Sequence, residues 1–341
     1  MKNIYGITLG KLEQYFLDIG EKKFKAIQVF EWLYKKRISN FNEMSNIKKE
    51  VISKLEEDYS TDYIKIVKVL KGKDVVKFLF ELEDNQRVEA VLMKHDYGNS
   101  LCVSTEVGCN MGCKFCESGR LKKVRNLEVY EMVEQILIIE KELNIRISHV
   151  VLMGIGEPFD NYDNIIDFID ILNCGKGIDI GARHITVSTC GIIPKIEDFI
   201  KNGKQVNLAI SLHAPNNEIR NKIMPINKVY PLEQLIIVLK KYIKETNRRV
   251  TFEYILLDDV NDSKENAIEL SKLLKGMNCY VNLIPYNETS HIEFKKSNRE
   301  KIIKFYDTLK KNNINVTIRK EFGSEVMAAC GQLRANYEEG L

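Results

Sequence analysis

The 341-residue chain is 44% hydrophobic and 29% charged, a globular composition that excludes disordered, collagen-like and coiled-coil classes. Its 51 Lys and Arg against 48 Asp and Glu leave a net charge of +3, too small to demand a nucleic acid but compatible with a locally basic face. No run approaches the ~20 apolar residues of a membrane helix, and the N-terminus, MKNIYGITLGKLEQ, is charged where a secretory signal is greasy, so a cytoplasmic protein is expected.

Thr8 can cap a helix carrying Leu9, Leu12, Tyr15 and Phe16, and Ala26, Ile27, Phe30, Leu33 and Tyr34 follow at helical spacing. Residues 1–58 are therefore expected to form a small helical domain. Its polar side gathers Lys22, Lys23, Lys25, Lys35, Lys36, Arg37, Lys48 and Lys49, a density that reads either as a solvated face or as a grip on phosphates. Over residues 59–94 the pattern changes to strands, YIKIVKVL, VVKFLFEL and RVEAVLM, separated by the turn signals Lys71-Gly72-Lys73-Asp74 and Asp84-Asn85. These are expected to form a β-meander linker.

From residue 95 to the end, strands and helices alternate. Strands are expected at 100–106, 148–153, 184–189, 206–211, 249–256 and 280–285, with amphipathic helices such as Val129–Leu143 and Leu232–Ile243 between them. Six such units imply an α/β fold with parallel strands and right-handed crossovers, either an open sheet or a partly closed barrel. In such folds the working residues sit at the carboxyl ends of the strands. Unusual clusters occupy those places: Gly108–Gly119, Gly154-Ile155-Gly156-Glu157-Pro158, Ser188-Thr189-Cys190-Gly191, Ser211-Leu212-His213 and Pro285-Tyr286-Asn287.

Eight cysteines in a cytoplasmic chain read as thiols, metal ligands or catalysts rather than disulfides. Cys109, Cys113 and Cys116 stand as C-x3-C-x2-C in the loop GCNMGCKFCESG. Three thiolates on one short loop can hold three irons of a [4Fe-4S] cluster and leave the fourth open to a small ligand. Zinc would want a second pair of ligands nearby, and no second Cys pair or H-x3-H follows.

This loop resembles that of the radical S-adenosylmethionine (SAM) enzymes. Together with Cys102 seven residues before Cys109 in CVSTEVGC, Cys330 in AACGQL, RVEAV around Glu89, MGIGEP, SLHAPN and MPIN, it makes the whole chain similar to the RlmN/Cfr family of RNA adenosine methyltransferases. The resemblance implies a partial (β/α)6 barrel of the radical SAM type at 95–341. It implies that Cys109, Cys113 and Cys116 bind the cluster, that Gly156, Glu157, Ser188, Ser211, Leu212, His213 and Asn287 bind SAM, and that Glu89, Cys102 and Cys330 are catalytic. The chain departs from the family at CESGRLKKVRNL, where CxTGxxGFxRNL is usual. Cys174, Cys190 and Cys279 match no family role and read as core or loop thiols.

The family's route answers a chemical obstacle. Adenine C2 and C8 are electron-poor carbons to which the electrophilic SAM methyl cannot be transferred directly. As the resemblance implies, Cys330 takes a methyl from one SAM, and a radical made from a second SAM at the cluster removes a hydrogen from that methyl. The resulting methylene radical adds to the base. Release requires Glu89 to accept the proton of the substituted carbon and Cys102 to attack Cys330, giving a disulfide. The cofactor carries the hard chemistry, and the protein supplies orientation and electrostatics.

The implied partners are an adenosine in 23S ribosomal RNA, possible tRNA substrates in the RlmN branch, and an electron donor such as a flavodoxin or ferredoxin. A monomer is expected. C2 methylation is the first reading and Cfr-like C8 methylation, which protects ribosomes from antibiotics, the second. From other classes come an iron- or redox-sensing Fe-S RNA-binding protein, which leaves Cys102 and Cys330 unexplained, and a radical SAM activase that acts on a partner protein.

Overall fold

The computed structural model describes residues 1–120, 122–289 and 291–319. Three helices open the chain: α1 (Leu9–Asp18), α2 (Lys23–Glu31) and α3 (Lys49–Asp58). As the sequence indicates, Thr8 caps α1, its hydroxyl accepting the Lys11 N–H at 3.4 Å. Leu12 and Phe16 of α1 pack with Ala26, Val29 and Phe30 of α2. The apolar spacing beyond Phe30 belongs to a π turn, Trp32–Lys36, that buries Leu33 and Tyr34.

The strands follow as β1 (Lys65–Lys71), β2 (Val75–Glu81), β3 (Arg87–His95), β4 (Gly98–Cys102), β5 (Ile147–Leu152), β6 (Ile185–Thr189), β7 (Asn207–Ser211), β8 (Val250–Leu256), β9 (Cys279–Pro285) and β10 (Val316–Ile318). All lie in one ten-stranded sheet in spatial order β10-β9-β8-β7-β6-β5-β4-β3-β2-β1. The first four are antiparallel neighbours and β4 through β10 are parallel. The meander thus runs without a break into the parallel sheet through the β3–β4 hairpin. All six expected strands are present. The seventh parallel strand, β10, is three residues long, too short to show a period-two pattern.

Helices α4 (Val129–Leu143), α5 (Tyr162–Asn173), α6 (Ile193–Asn202), α7 (Asn217–Ile223), α8 (Leu232–Thr246), α9 (Lys264–Leu273) and α10 (Arg299–Lys311) fill the crossovers. Except for α7, whose Ile219 and Ile223 join a separate cluster with Met224, Leu257 and Tyr286, their apolar stripes join one face of the sheet in a core that also takes in the N-terminal helices.

That joint is polar as well as apolar. The Tyr63 hydroxyl donates to Tyr5 Oη at 2.8 Å, and the Tyr34 hydroxyl donates to the Tyr5 carbonyl at 2.7 Å. On α4, the buried Glu134 Oε2 accepts the Ile64 N–H at 2.8 Å, and Glu140 pairs with Arg37 and Arg146. Arg37, one of the cations that reads from sequence as a phosphate grip, is thus held by an internal carboxylate. At the start of α4's inner side, Gln135 brackets Ser104, accepting its N–H at 3.0 Å and donating to its carbonyl at 3.2 Å.

Burial pushes the Glu134 carboxyl well above its usual range, and the nearby acids Glu131, Glu83 and Asp62 add to the effect. A carboxyl whose folded pKa is raised contributes most at low pH and becomes a liability as pH rises above its unfolded value. Glu134→Gln, which mimics the protonated acid, is therefore expected to melt higher than wild type at pH 8, with a smaller difference at pH 5. Thermal melts followed by circular dichroism at the two pH values check this.

Candidate active site

The carboxyl ends of β4 to β9 form one rim. Cys102 closes β4, the Gly154–Pro158 loop follows β5, Ser188 and Thr189 end β6, Ser211 ends β7, and Asn287 lies just past β9. Of the residues read from sequence as functional, all but one lie on this rim or on the sheet face beneath it. Cys330 lies outside the described residues.

The cluster-type loop is pinned at its base by a two-residue ladder that pairs Glu106–Val107 with Arg125–Asn126. Inside it, the Cys116 N–H donates to the Cys113 carbonyl at 3.2 Å, and Gly119 N–H to the Cys116 carbonyl at 3.0 Å. The Lys114 N–H donates to the Ile223 carbonyl at 2.9 Å, tying the loop to α7. Gly119 has to be glycine: a Cβ there would lie 2.8 Å from the Cys113 carbonyl oxygen.

Cys109, Cys113 and Cys116 are partly exposed; the charge of Cys116 acts on both Cys109 and Cys113, and that of Cys109 acts on Cys113. The Met111 N–H donates to the Cys109 sulfur. Burial pushes the Cys109 thiol up to about 12 and raises Cys113 further, so a metal must displace protons to bind. Three thiols on one mouth, with a backbone donor to sulfur, fit an iron–sulfur cluster held by three cysteines. The acidic trio Asp258, Asp259 and Asp262 gathers around the cation Lys301, at 2.7, 2.5 and 3.6 Å.

Beside the loop, Glu157 is buried and held from several sides. Its Oε1 accepts the Phe159 N–H at 3.1 Å and its Oε2 the Cys190 N–H at 2.8 Å. Burial raises its pKa against these donors and the Thr189 hydroxyl, a carboxyl that an incoming ammonium would stabilise as the anion. The Glu157 N–H in turn donates to Glu106 Oε2 at 2.9 Å.

Gly156 has φ +112°, and a Cβ there would come within 2.7 Å of the Glu106 Cβ and Cγ. Lys123 completes the network at 2.5 Å from Glu106 Oε1 and 2.7 Å from Asp160 Oδ2. The divergent LKKVRN segment therefore supplies a cation to the floor of the Gly-x-Gly loop. Forcing a side chain into such a backbone costs about 1–3 kcal/mol, and each 1.4 kcal/mol is tenfold in affinity. Gly156→Ala is expected to weaken SAM binding about ten- to hundredfold with iron content unchanged, as calorimetric titration and iron analysis would show.

His213 is buried with φ +56°. Its Nδ1 accepts the Ile255 N–H at 3.0 Å, which places the ring hydrogen on Nε2. Burial first, and then Arg220, lower its pKa to about 3, so it works as a neutral ring. Phe115 of the cysteine loop packs edge-on against it at 4.8 Å. Arg220 is buried behind both, its guanidinium donating to the carbonyls of Cys190 (2.7 Å), Ser211 (3.1 Å) and Leu212 (3.1 Å) and to Asn227 Oδ1 (2.9 Å). Ser188 and Leu212 are buried, Ser211 is half-buried and Asn287 is exposed.

Below the rim, β2 and β3 divide their side chains between two faces. Val76, Phe78, Phe80, Val88, Ala90 and Leu92 join the main core, whereas Val75, Met93 and Cys102 form a separate cluster on the other, inner face. Glu89 shares that inner face. Val91 pairs with Cys102 across β3 and β4, so Glu89 is its diagonal neighbour, one inner-face step nearer the rim. The structure thus brings Glu89 and Cys102 together.

Around the site the structure adds four residues that the sequence does not single out: Lys77, paired with Glu89, the Glu106–Lys123 pair, and Arg220. Lys77 alone left a signal, as a charge inside the apolar run VVKFLF.

Residues 103–271 match the radical SAM superfamily, and residues 2–60 match the ribosomal RNA large subunit methyltransferase N-terminal domain. The chain is 54% identical to a probable dual-specificity RNA methyltransferase RlmN of Enterococcus faecalis, over 98% of this chain and 96% of that protein. It is also 54% identical to one of Spiroplasma citri, over 99% of each. A crystal structure of a radical SAM methyltransferase from Sphaerobacter thermophilus, 38% identical, superposes with a TM-score of 0.91 over 97% of this chain and 99% of that one.

Proposed function

The chain belongs to the RlmN family of radical SAM RNA methyltransferases, and on that premise we propose that it methylates C2 of an adenosine in 23S ribosomal RNA and of one in tRNA. It is a SAM-dependent RNA methyltransferase whose cofactors are a [4Fe-4S] cluster and SAM. Bound together, the cluster and SAM supply one-electron chemistry that an electron-poor ring carbon requires.

The chain's own residues divide the remaining work. Cys109, Cys113 and Cys116 hold the cluster. Glu157 receives the SAM ammonium while Gly156 lets the ligand approach the backbone, and Ser188, Ser211, Leu212, His213 and Asn287 line the rest of the SAM site. Cys330 carries the methyl, Glu89 takes the proton from the substituted carbon and Cys102 resolves the protein–RNA link. The observation that carries this reading is the placement of Glu89 and Cys102 on adjacent strands of one inner face, under a rim that bears the three-cysteine loop.

Residues 1–58 act as the RNA grip, through exposed Lys22, Lys36, Lys48 and Lys49, 59–94 as the connecting meander and 95–341 as the catalytic body. The target base is swung out of its stack to reach the rim. Electrons come from a flavodoxin or ferredoxin, and the enzyme works as a monomer. Among the described residues no helix is long and apolar enough to cross a membrane, which fits work on RNA in the cytoplasm.

Chromatography and mass spectrometry of nucleosides from rRNA and tRNA of a deletion strain test the reading. Loss of 2-methyladenosine from both is expected. Loss of 8-methyladenosine instead would move the chain to the Cfr chemistry, and an unchanged nucleoside profile would overturn the assignment.

A further inference from the structure

Lysine is a costly residue to bury. In β2 the segment VVKFLF is buried on both faces, and Lys77 keeps 1% of its side-chain surface. Its Nζ lies 3.1 Å from Glu89 Oε2, whose side chain keeps 3%. Such a pair is a poor way to gain stability, because two apolar side chains of similar volume usually serve as well or better. Its presence in the barrel interior calls for a reason other than packing.

Register supplies one. Lys77 is the cross-strand partner of Val91, and Val91 is the partner of Cys102. Lys77 and Cys102 therefore stand level on the same inner face with one strand between them, about 10 Å apart in the backbone. Glu89 sits on that middle strand, one inner-face position nearer the rim, where a base entering from the cluster side would arrive. A second pair, Arg87 with Glu81 at 2.7 Å, lies next along the same face, so the interior strip runs from a half-exposed pair at the mouth to a closed pair at the level of the thiol.

We propose that Lys77 is a positioning residue for the adduct-resolving half of the reaction, its side-chain nitrogen holding the Glu89 carboxylate aimed at the proton of the substituted adenine carbon. This rests on Glu89 being the proton acceptor. The proton passes from carbon to the Glu89 carboxylate, and the electron pair of the broken C–H bond stays with the ring. Lys77 acts only through Glu89. Steps before the adduct, which are methylation of Cys330 and cleavage of SAM, do not use the pair.

The test follows each step in cluster-loaded full-length enzyme supplied with SAM, dithionite and a transcript of the peptidyl-transferase region of 23S rRNA. Lys77→Met is expected to leave Cys330 methylation and 5′-deoxyadenosine release within about twofold of wild type, while methyladenosine formation falls about 100-fold, the scale of a general base's contribution. A nuclease-sensitive protein–RNA species should accumulate on denaturing gels. Lys77→Arg, which keeps the charge, should restore product to at least about a tenth of wild type. A purely structural lysine would show neither the step-specific block nor the rescue.

Product formed by Lys77→Met at the wild-type rate overturns the proposal, and so does an Arg variant as blocked as the Met variant with cluster and Cys330 methylation intact. If the Met variant does not fold, Lys77→Gln takes its place with the same expectations. Glu89→Gln keeps the two levels apart. Wild-type product from Glu89→Gln defeats the base assignment itself, whereas a blocked Glu89→Gln beside an active Lys77→Met defeats only the role of the lysine.

Discussion

Cys102→Ala is expected to freeze the enzyme onto its RNA. With Cys330 and the three cluster cysteines intact, the methyl is loaded, the radical is made and the base is attacked, but no thiol stands ready to break the C–S bond. The result is a covalent protein–RNA species with product reduced to background. Cys330→Ala is expected to give neither adduct nor product, and the double variant should look like Cys330→Ala, because residues acting in one sequence of steps do not add. A denaturing gel with and without nuclease distinguishes all three. Wild-type product from Cys102→Ala would contradict the two-cysteine route. The place of Cys102 makes the expectation local: it is buried at the end of β4 among Val75, Met93, Val91 and Met153, and loss of one sulfur there leaves a small gap in that cluster.

Cys113→Ala is expected to abolish every activity at once. Cys113 is the middle cysteine of the loop, and burial raises its thiol further than that of Cys109, with Met224, Tyr286 and Phe115 in its cluster. Two cysteines cannot hold what three hold, so iron and sulfide content after anaerobic reconstitution should fall to background, with loss of the broad visible absorbance and of SAM cleavage. Secondary structure should persist, since the cluster loop lies outside the main core. A zinc-loaded, fully active protein would contradict it.

The fold was legible because its strands are buried on one or both faces and bounded by turns, so six parallel strands and the helices between them could be placed within a few residues. β10 escaped because three residues carry no period. The candidate site was legible where chemistry is local, as in C-x3-C-x2-C and Gly-x-Gly-Glu. Alternation in RVEAVLM sets Glu89 and Val91 on one face, but only the observed register shows that Cys102 sits opposite Val91. Nothing in sequence joins Glu106 to Lys123, which meet because the ladder at the base of the loop brings the two segments side by side. Arg220 is hidden for the same reason: a cation on a short amphipathic helix reads as solvated, and only the three carbonyls converging on it reveal otherwise. Of the basic N-terminal residues, Arg37 is the one whose internal partner, Glu140, the sequence does not reveal.

Helix α4 carries a consequence for how the two ends of the fold are coupled. The same helix holds the segment after the N-terminal helices through Glu134 and Ile64, holds Arg37 through Glu140, and holds the segment leading to the cysteine loop through Gln135 and Ser104. Glu134 and Gln135 are consecutive, so the approach from the first helices and the approach to the cysteine loop are tied to one point of a single rigid element. A shift on one side is therefore passed to the other with almost no chain between them to absorb it.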